Sequence, residues 1–144
     1  MRSFSYPAKF SGEDRGAFTV TFPDLPEAIT SGRNLQDALV QAADCLGCAL
    51  GGRIVDGMEI PAPSKPRKDC RMVEVPLDLA PKVALYMAMR ERKVNNSQLA
   101  RRLGVSETVI RRMLNPRHDS KPEKIQAALE TLGKRILVAV DDAA

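Results

Sequence analysis

The sequence predicts an α+β protein in which a small ββ(β)αβ unit is followed by a four-helix domain that ends in a short strand. In the first half, apolar and polar residues alternate in short runs, which is typical of strands with one buried face. In the second half, apolar residues recur every three to four positions in several short segments, which is typical of amphipathic helices. The change of pattern divides the chain into two predicted domains, residues 1–76 and 77–144.

The first domain is predicted to begin with an antiparallel hairpin. Residues 3–10 and 18–22 both alternate, and the polar, glycine-containing stretch 11–16 between them is typical of a turn. The two prolines within 23–26 are expected to break the second strand. A short third strand is expected over 27–30.

A long helix is predicted next. Asn34 is its expected cap, and Asp37 lies in the first turn, where a carboxylate is favourable. Gly51-Gly52 is expected to end it. A proline-rich connection over 57–67 then precedes a last alternating strand over 71–75. One face of the helix would cover the sheet with Leu35, Ala38, Leu39, Ala42, Leu46, Ala49 and Leu50.

Four helices are predicted in the second domain. The first is capped by Asp78, carries Pro81 in its first turn and runs to about residue 93. The second is capped by Asn95 or by Asn96. The apolar positions of the first helix are Leu79, Val83, Leu85, Met87 and Met89.

The third and fourth helices have clear end signals. Ser106 is the expected cap of the third, and Asn115-Pro116 stops it. Ser120 and Glu123 have the spacing of a capping box at the start of the fourth, which Gly133 closes. Residues 135–140 predict a terminal strand without a local partner, which the same strand of a second chain could pair.

The stretch 96–114, which spans the second and third of these helices, is the most informative part of the chain. Ala100 is small enough to let two helices approach closely, and Gly104 supplies the freedom that a sharp turn needs. Its layout is that of a DNA-reading helix-turn-helix, whose second helix lies in the major groove. A plain helical hairpin in an all-α core is the alternative. The residues expected to be buried between the two helices are Leu99, Leu103, Val105, Ile110 and Met113.

The polar residues of this stretch and of the loop behind it are the candidate DNA-binding residues. Those on the second helix of the pair are placed to reach base edges or nearby phosphates, and Arg111 or Arg112 could hold a guanine by a bidentate contact. Those at the start of the first helix and in the loop suit phosphates. Glu107 could accept from cytosine, although stabilisation of the helix end is the simpler explanation. The full set is Asn96, Ser97, Gln98, Ser106, Glu107, Thr108, Arg111, Arg112, Asn115, Arg117 and Lys121.

The charge is unevenly distributed between the two predicted domains. Residues 1–76 contain 9 Lys/Arg and 10 Asp/Glu, a net charge of −1. Residues 77–144 contain 13 Lys/Arg and 8 Asp/Glu, a net charge of +5. The positive charge therefore accompanies the predicted DNA-reading helices, where attraction to phosphate would use it.

Several classes of protein are not expected. The chain starts with an alternating run and not with a signal peptide, and no apolar run approaches the roughly 20 residues that cross a bilayer, so a cytoplasmic protein is expected. Three cysteines, an odd number, indicate reduced thiols. Cys45 and Cys48 fall within a helical apolar pattern, and with only Cys70 and His118 as further ligands a zinc site would need unusual geometry. No metal or cofactor is expected.

One motif of the first domain is specific enough to compare with known families. Residues 18–28 read Phe-Thr-Val-Thr-Phe-Pro-Asp-Leu-Pro-Glu-Ala, Thr30-Ser31-Gly32 follows, and an alanine-rich helix begins after Asn34. These features resemble the HicB antitoxins, whose amino-terminal half is a partial, RNase H-like ββ(β)αβ unit. Residues 73–77, followed by four helices, are similar to the branch with a lambda-repressor-like domain. The resemblance covers essentially the whole chain.

The resemblance implies a function. HicB proteins bind and neutralise a small partner toxin, HicA, which is an mRNA-cleaving ribonuclease. Their carboxy-terminal domain represses the operon by binding operator DNA as a dimer or higher assembly. Residues 1–76 would then bind the toxin, through contacts that the sequence does not identify, and residues 77–144 would bind DNA and dimerise.

An enzyme is not expected in the RNase H-like half. Such catalysis needs several carboxylates around magnesium ions. Glu13, Asp14 and Asp24 lie in predicted turns without an assignable shared site. Asp37 and Asp44, on the helix, are better explained as solvated positions.

Two other functions remain open. The chain could be a stand-alone transcriptional repressor whose α/β unit senses a ligand or mediates oligomerisation. It could also be an RNA-binding protein, but aromatic residues make up only 4% of the chain, and such proteins use aromatics to stack bases. A neighbouring gene for a small basic protein would favour the antitoxin.

Overall fold

The computed structural model describes residues 3–12 and 16–142 and confirms the α+β fold class. The chain divides into two compact units, which we call unit 1 (Met1–Ala80) and unit 2 (Pro81–Ala144). Unit 1 contains strands β1 (Ser5–Gly12), β2 (Phe18–Phe22), β3 (Leu25–Gly32) and β4 (Cys70–Glu74) and helix α1 (Leu35–Val55). Helix α2 (Ala80–Arg92) begins at the boundary, and unit 2 continues with α3 (Asn96–Leu103), α4 (Glu107–Leu114) and α5 (Pro122–Glu130).

The four strands form one antiparallel sheet in the order β3-β2-β1-β4. Helix α1 covers the sheet with a buried stripe formed by Ala38, Ala42, Leu46, Leu50 and Ile54. The proline-rich connection is anchored to the sheet, because the Tyr6 hydroxyl donates to the Pro61 carbonyl oxygen at 2.7 Å. Unit 1 is thus a sheet with one helical layer.

Gly32 marks a close approach between the end of β3 and the first turns of α1. A Cβ atom at position 32 would lie 2.3 Å from the Ala38 backbone nitrogen and 2.4 Å from the Ala38 Cα. Neither distance is possible for a real side chain, so only glycine lets the backbone of the strand touch the helix. This contact gives a physical reason for the glycine in the Thr30-Ser31-Gly32 segment.

Three expectations for unit 1 were wrong. The third strand starts at Leu25 and not at residue 27, because the fully buried Leu25 side chain belongs to the core and only Pro23 and Asp24 form the turn. Helix α1 continues past Gly51-Gly52 to Val55, because Gly51 is buried and Ile54 extends the buried stripe. Leu39, expected on that stripe, is exposed.

The expectation that no segment reaches the length of a membrane span was also wrong. Among the residues that the structure describes, α1 has the length and the apolar composition to cross a bilayer. A third of its most apolar stretch is buried inside the protein, against the sheet. The core of unit 1 accounts for that buried third, whereas Leu39, Val40 and Val55 of the same helix are exposed.

Unit 2 has its own hydrophobic core, to which all four of its helices contribute. Leu99 and Ile110 are fully buried, as predicted for the facing sides of α3 and α4. Leu103 is partly buried, whereas Val105, expected in the same interface, is 37% exposed because it lies in the turn after Gly104. The fully formed core cluster is Leu85, Ala88, Met89, Val94, Leu99, Ala100, Ile110, Met113, Ile125, Ala128, Leu129 and Leu132.

The end signals of α3 are as predicted. Asn95, one of the two candidate caps, accepts from the Gln98 N–H at 2.8 Å, and the Gln98 side chain accepts from the Asn95 N–H at 2.9 Å. This reciprocal pair satisfies two amide groups at the start of the helix. Gly104 has φ of 67°, in the left-handed region where glycine ends helices at little cost.

Two predicted caps were wrong, and a third is a cap by position alone. Asp78 does not cap α2, because the helix begins at Ala80, whose N–H donates to the Pro76 carbonyl oxygen. Ser106 occupies the cap position of α4 but makes no capping hydrogen bond with its side chain. Ser120 and Glu123 form no capping box, because α5 starts at Pro122 with Lys121 at the cap position.

The predicted terminal strand was wrong for the single chain. Residues 134–142 form no strand, because a β-ladder needs a neighbouring strand and no described residue supplies one. Ile136 is instead tethered to α5, its N–H donating to Gln126 Oε1 at 2.8 Å. Leu137, Val138 and Val140 beyond it are exposed.

Candidate nucleic-acid interface

Helix α4 has one apolar side and one charged side. Ile110 and Met113 are buried in the core of unit 2. Glu107, Thr108 and the two arginines of the helix are exposed, because the 3.6-residue period directs them away from the core. The α4 residues selected from the sequence are therefore accessible to a ligand as large as DNA.

An ion pair runs along the exposed side of α4. Arg111 Nη2 lies 3.2 Å from Glu107 Oε1, one helical turn earlier. The two side chains are 62% and 45% exposed, so water and salt screen the attraction and the pair contributes little to stability. Its consequence is local: one arginine of the charged side is already engaged by a carboxylate.

The loop after α4 is ordered by Asn115. The Asn115 side-chain oxygen accepts from the Arg117 N–H at 3.0 Å, and its carbonyl oxygen accepts from the His118 N–H at 3.0 Å. Arg117 and Lys121 are both exposed. The loop thereby presents two further cations beside the carboxyl end of α4.

The start of α3 lies close to the start of α4. Asn96, Ser97 and Glu107 line one shallow cleft, together with Arg90 and Lys93 from the end of α2 and the residue that follows it. Asn96 is half-buried, whereas Ser97 and Gln98 are exposed. The oxygen of Gln98 accepts from Asn95, so this side chain orders the helix start as well as facing solvent.

Two cations of this cleft were missed in the sequence. The Arg90 guanidinium lies 5.5 Å from the centroid of the Tyr86 ring and donates to the Tyr86 hydroxyl at 3.3 Å. Lys93 has φ of 56° and leads the chain into the cap of α3. Arg90 and Lys93 lie three residues apart just before α3 and α4, and this spacing could have identified them from the sequence.

Lys82 on α2 was also missed, because lysine is rarely expected in a core. It is only 2% exposed, and its Nζ donates to two carbonyl oxygens of α4 and to the Ser120 hydroxyl. No local pattern in the sequence distinguishes it from a solvated lysine.

Asp24 and Asp37, two of the acidic residues considered as catalytic candidates, have structural partners. Asp24 accepts from the Ser64 N–H at 2.9 Å and also from the Ser64 hydroxyl. Asp37 accepts from the Arg33 N–H at 2.9 Å, which lowers the pKa of its carboxyl. Glu13 and Asp14 lie outside the described residues. Within the described ranges, no three His, Cys, Asp or Glu residues are grouped so that they could hold a metal ion.

Cys45, Cys48 and Cys70 are free thiols in the structure. Cys45 and Cys70 are half-buried, and Cys48 is exposed. Burial raises the pKa of the Cys45 thiol and that of Cys70, which disfavours the thiolate form that reacts with electrophiles and metals.

Comparison with known proteins identifies the family of the chain. A family model described as the HicB-like antitoxin of a bacterial toxin–antitoxin system matches residues 5–84. Antitoxin HicB 2 of Photorhabdus laumondii is 39% identical over 140 residues, which are 96% of this chain and 99% of that relative. Antitoxin HicB of Escherichia coli K12 is 34% identical over 131 residues, which are 91% of this chain and 95% of that relative.

The family model and the relatives cover different lengths of the chain. The model matches residues 5–84 and so corresponds closely to unit 1, whereas the relatives extend through unit 2. The chain therefore belongs to the HicB-like family of antitoxins from bacterial toxin–antitoxin systems.

Proposed function

We propose that this antitoxin neutralises a HicA-type, mRNA-cleaving toxin through unit 1 and represses its own operon by binding operator DNA through unit 2. The observation that carries the proposal is the division of one antitoxin chain into two compact units of different charge. The family match falls on the nearly neutral unit, and the exposed arginines of α4 fall on the basic one.

Unit 1 suits a protein partner better than a nucleic acid. Residues 1–76 carry a net charge of −1, so they offer no general attraction to phosphate. The carboxylates of Asp24, Glu27 and Asp37 make structural contacts with Ser64, Arg53 and Arg33, which supports inhibition by binding and not catalysis. A bound toxin would be silenced by the covering of its active site or of its RNA-binding surface.

Unit 2 suits duplex DNA. Arg111 and Arg112 are the candidate base-reading side chains, since an arginine matches the two acceptors of guanine in the major groove. Asn96, Ser97 and Gln98 at the start of α3 suit a backbone phosphate. The loop residues Asn115, Arg117 and Lys121 suit phosphates on the other side of α4, with Ser106 and Thr108 placed between the two groups.

Self-association is part of the proposal. Leu137, Val138 and Val140 are exposed in a terminal segment that pairs with none of the strands the structure describes. Pairing this segment with that of a second chain would bury these side chains and satisfy the backbone groups of both chains. The resulting dimer would present two copies of α4 to a two-fold symmetric operator, as symmetric repressors do. These activities place the protein in the cytoplasm.

Co-expression tests the toxin half of the proposal. A neighbouring gene that encodes a HicA-type toxin is induced with the wild-type chain or with the Arg111→Ala, Arg112→Ala double variant. We expect both chains to restore growth, because the substitutions lie on exposed positions of unit 2 and leave unit 1 unchanged. Growth arrest in the presence of soluble wild-type chain contradicts toxin neutralisation.

Measurement of operator binding tests the proposed DNA-binding activity of unit 2. Fluorescence anisotropy with the promoter-region duplex is expected to show at least a tenfold loss of affinity for the double variant, because two phosphate- or base-contacting cations are removed. Lys124→Ala, an exposed cation on α5 outside the candidate set, is the control and should change affinity little. Equal operator affinity of the wild type and the double variant contradicts the groove assignment.

The alternative function, that of a stand-alone repressor, is distinguished by the presence or absence of a neighbouring toxin gene. It requires operator binding without any neighbouring toxin gene. In that case there is no toxin for the chain to neutralise, and the growth test does not apply.

A further inference from the structure

Lys82 joins α2 to the carboxyl end of α4. Its Nζ donates to the Arg112 carbonyl oxygen at 3.2 Å and to the Met113 carbonyl oxygen at 3.0 Å. It also donates to the Ser120 hydroxyl at 2.8 Å. The residue is 2% exposed, so these contacts are made away from bulk water.

The end of α4 needs donors of this kind. The last carbonyl groups of a helix have no partner within it, and they carry the negative end of the helix dipole. The Asn115 N–H reaches the Arg111 and Arg112 carbonyl oxygens, but not that of Met113. An ammonium group at this place therefore supplies hydrogen bonds and a favourable charge together.

Ser120 extends the contact across the loop. Its hydroxyl accepts from Lys82 and donates to the Arg112 carbonyl oxygen at 3.3 Å. One ammonium group thus touches both the residues that end α4 and the residue that closes the loop 115–120. Asn115 and Arg117, two of the candidate phosphate-binding residues, lie within that loop.

We propose that Lys82 is a positioning residue for DNA recognition: it fixes the direction in which α4 ends and holds the 115–120 loop against it. The inference rests on the proposed function of α4. An apolar side chain would be buried here at a lower desolvation cost than lysine, so the lysine is explained by the direction that its hydrogen bonds impose. Lys82 itself does not contact DNA, because it is buried beneath the helix end.

The experiment compares full-length Lys82→Met with Lys124→Met. The first removes the ammonium group and keeps the length of the apolar stem, and the second makes the same exchange at an exposed position of α5. Anisotropy is measured with operator and with scrambled duplex, and urea unfolding gives the folded fraction of each variant. We expect Lys82→Met to lose about tenfold in operator affinity and little in affinity for scrambled DNA.

The ratio of the two affinities separates positioning from stability. Loss of folded protein would lower both affinities by the same factor, whereas misdirection of α4 and its loop lowers the specific one. Ser120→Ala, a smaller change in the same network, is expected to move the ratio in the same direction and keeps the test open if Lys82→Met does not fold. A folded variant at either position with the wild-type ratio overturns the inference.

Amide hydrogen exchange makes the test independent of DNA. The His118 N–H, which donates to Asn115, is expected to exchange at least tenfold faster in Lys82→Met than in Lys124→Met. Unchanged exchange in folded Lys82→Met overturns the positioning role. If wild-type protein does not distinguish operator from scrambled DNA, the proposed function fails, and the exchange rates still decide whether Lys82 orders the loop.

Discussion

Glu107 and Arg111 form an ion pair on the exposed side of α4, with 3.2 Å between Glu107 Oε1 and Arg111 Nη2. The pair lies on the surface that we propose for DNA. A carboxylate there repels phosphate and competes with DNA for Arg111. It therefore disfavours non-specific DNA binding relative to specific binding.

Glu107→Gln is expected to strengthen non-specific DNA binding. The change removes one negative charge and releases Arg111, so affinity for scrambled duplex should rise about two- to fivefold at low salt and less at high salt. Anisotropy titrations at two salt concentrations measure this effect. Glu130→Gln, which removes one negative charge from an exposed position of α5 outside the candidate set, is the control. Scrambled-DNA affinity equal to that of the wild type contradicts the role given to the pair.

Gly32→Ala is expected to destabilise unit 1 by about 1–3 kcal/mol or more, because the new Cβ would overlap the Ala38 backbone and force β3 and α1 apart. Gly52→Ala is the matched control, since nothing lies within 4 Å of its added Cβ and α1 is helical there. That change should stabilise the protein by about 0.5–1 kcal/mol. Urea unfolding measures both, and equal stabilities of the two variants contradict the close approach.

Lowering the pH is expected to reduce the stability of unit 1, because the Glu27 carboxylate becomes protonated. Arg53 Nε and Nη2 donate to the Glu27 carboxylate at 2.6 and 2.8 Å, and this lowers the pKa of the carboxyl below its ordinary value of 4.5. A lowered folded-state pKa gives stability that is present above pH 4.5 and lost as the pH falls through the folded-state value.

The pH dependence of stability checks this expectation. From pH 4.5 downward, the wild type should lose stability more steeply than Glu27→Gln. The difference will be modest, because the Glu27 side chain is 43% exposed and solvent screens the pair. Parallel curves for the wild type and Glu27→Gln are the contrary result.

Val138→Asp is expected to weaken self-association. Val138 is 88% exposed in the terminal segment, and a carboxylate there would oppose its counterpart when two segments pair. Light scattering coupled to size exclusion should show a dimer or larger assembly for the wild type. The variant should need at least a tenfold higher concentration to associate. A wild-type chain that stays monomeric at every concentration contradicts pairing.

Much of the fold could be predicted because it depends on local patterns. The alternation of β1 and β2, the cap at Asn95 and the turn at Gly104 are each encoded within a few residues of sequence. The same holds for the exposed side of α4, since burial of Ile110 and Met113 determines which way Arg111 and Arg112 face.

The features that were missed depend on distant parts of the chain. Gly51-Gly52 did not end α1, because burial on the sheet outweighs the low helix propensity of glycine. Ser120 formed no capping box, because α5 starts one residue later than expected, with Lys121 at the cap position, and the Ser120 hydroxyl accepts from Lys82, 38 residues away in the sequence. The terminal strand was wrong because pairing is a property of two strands. Lys82 in the core could not be foreseen, since its partners are carbonyl groups brought to it by folding.

The most direct test of the account is toxin inhibition by purified protein. The partner toxin is incubated with an mRNA substrate, and cleavage is followed as the wild-type chain or the Arg111→Ala, Arg112→Ala variant is added. Both chains are expected to abolish cleavage near an equimolar ratio, because the toxin would bind unit 1 and not the side of α4 that we propose for DNA. Cleavage that continues in a several-fold excess of folded wild-type chain would contradict it.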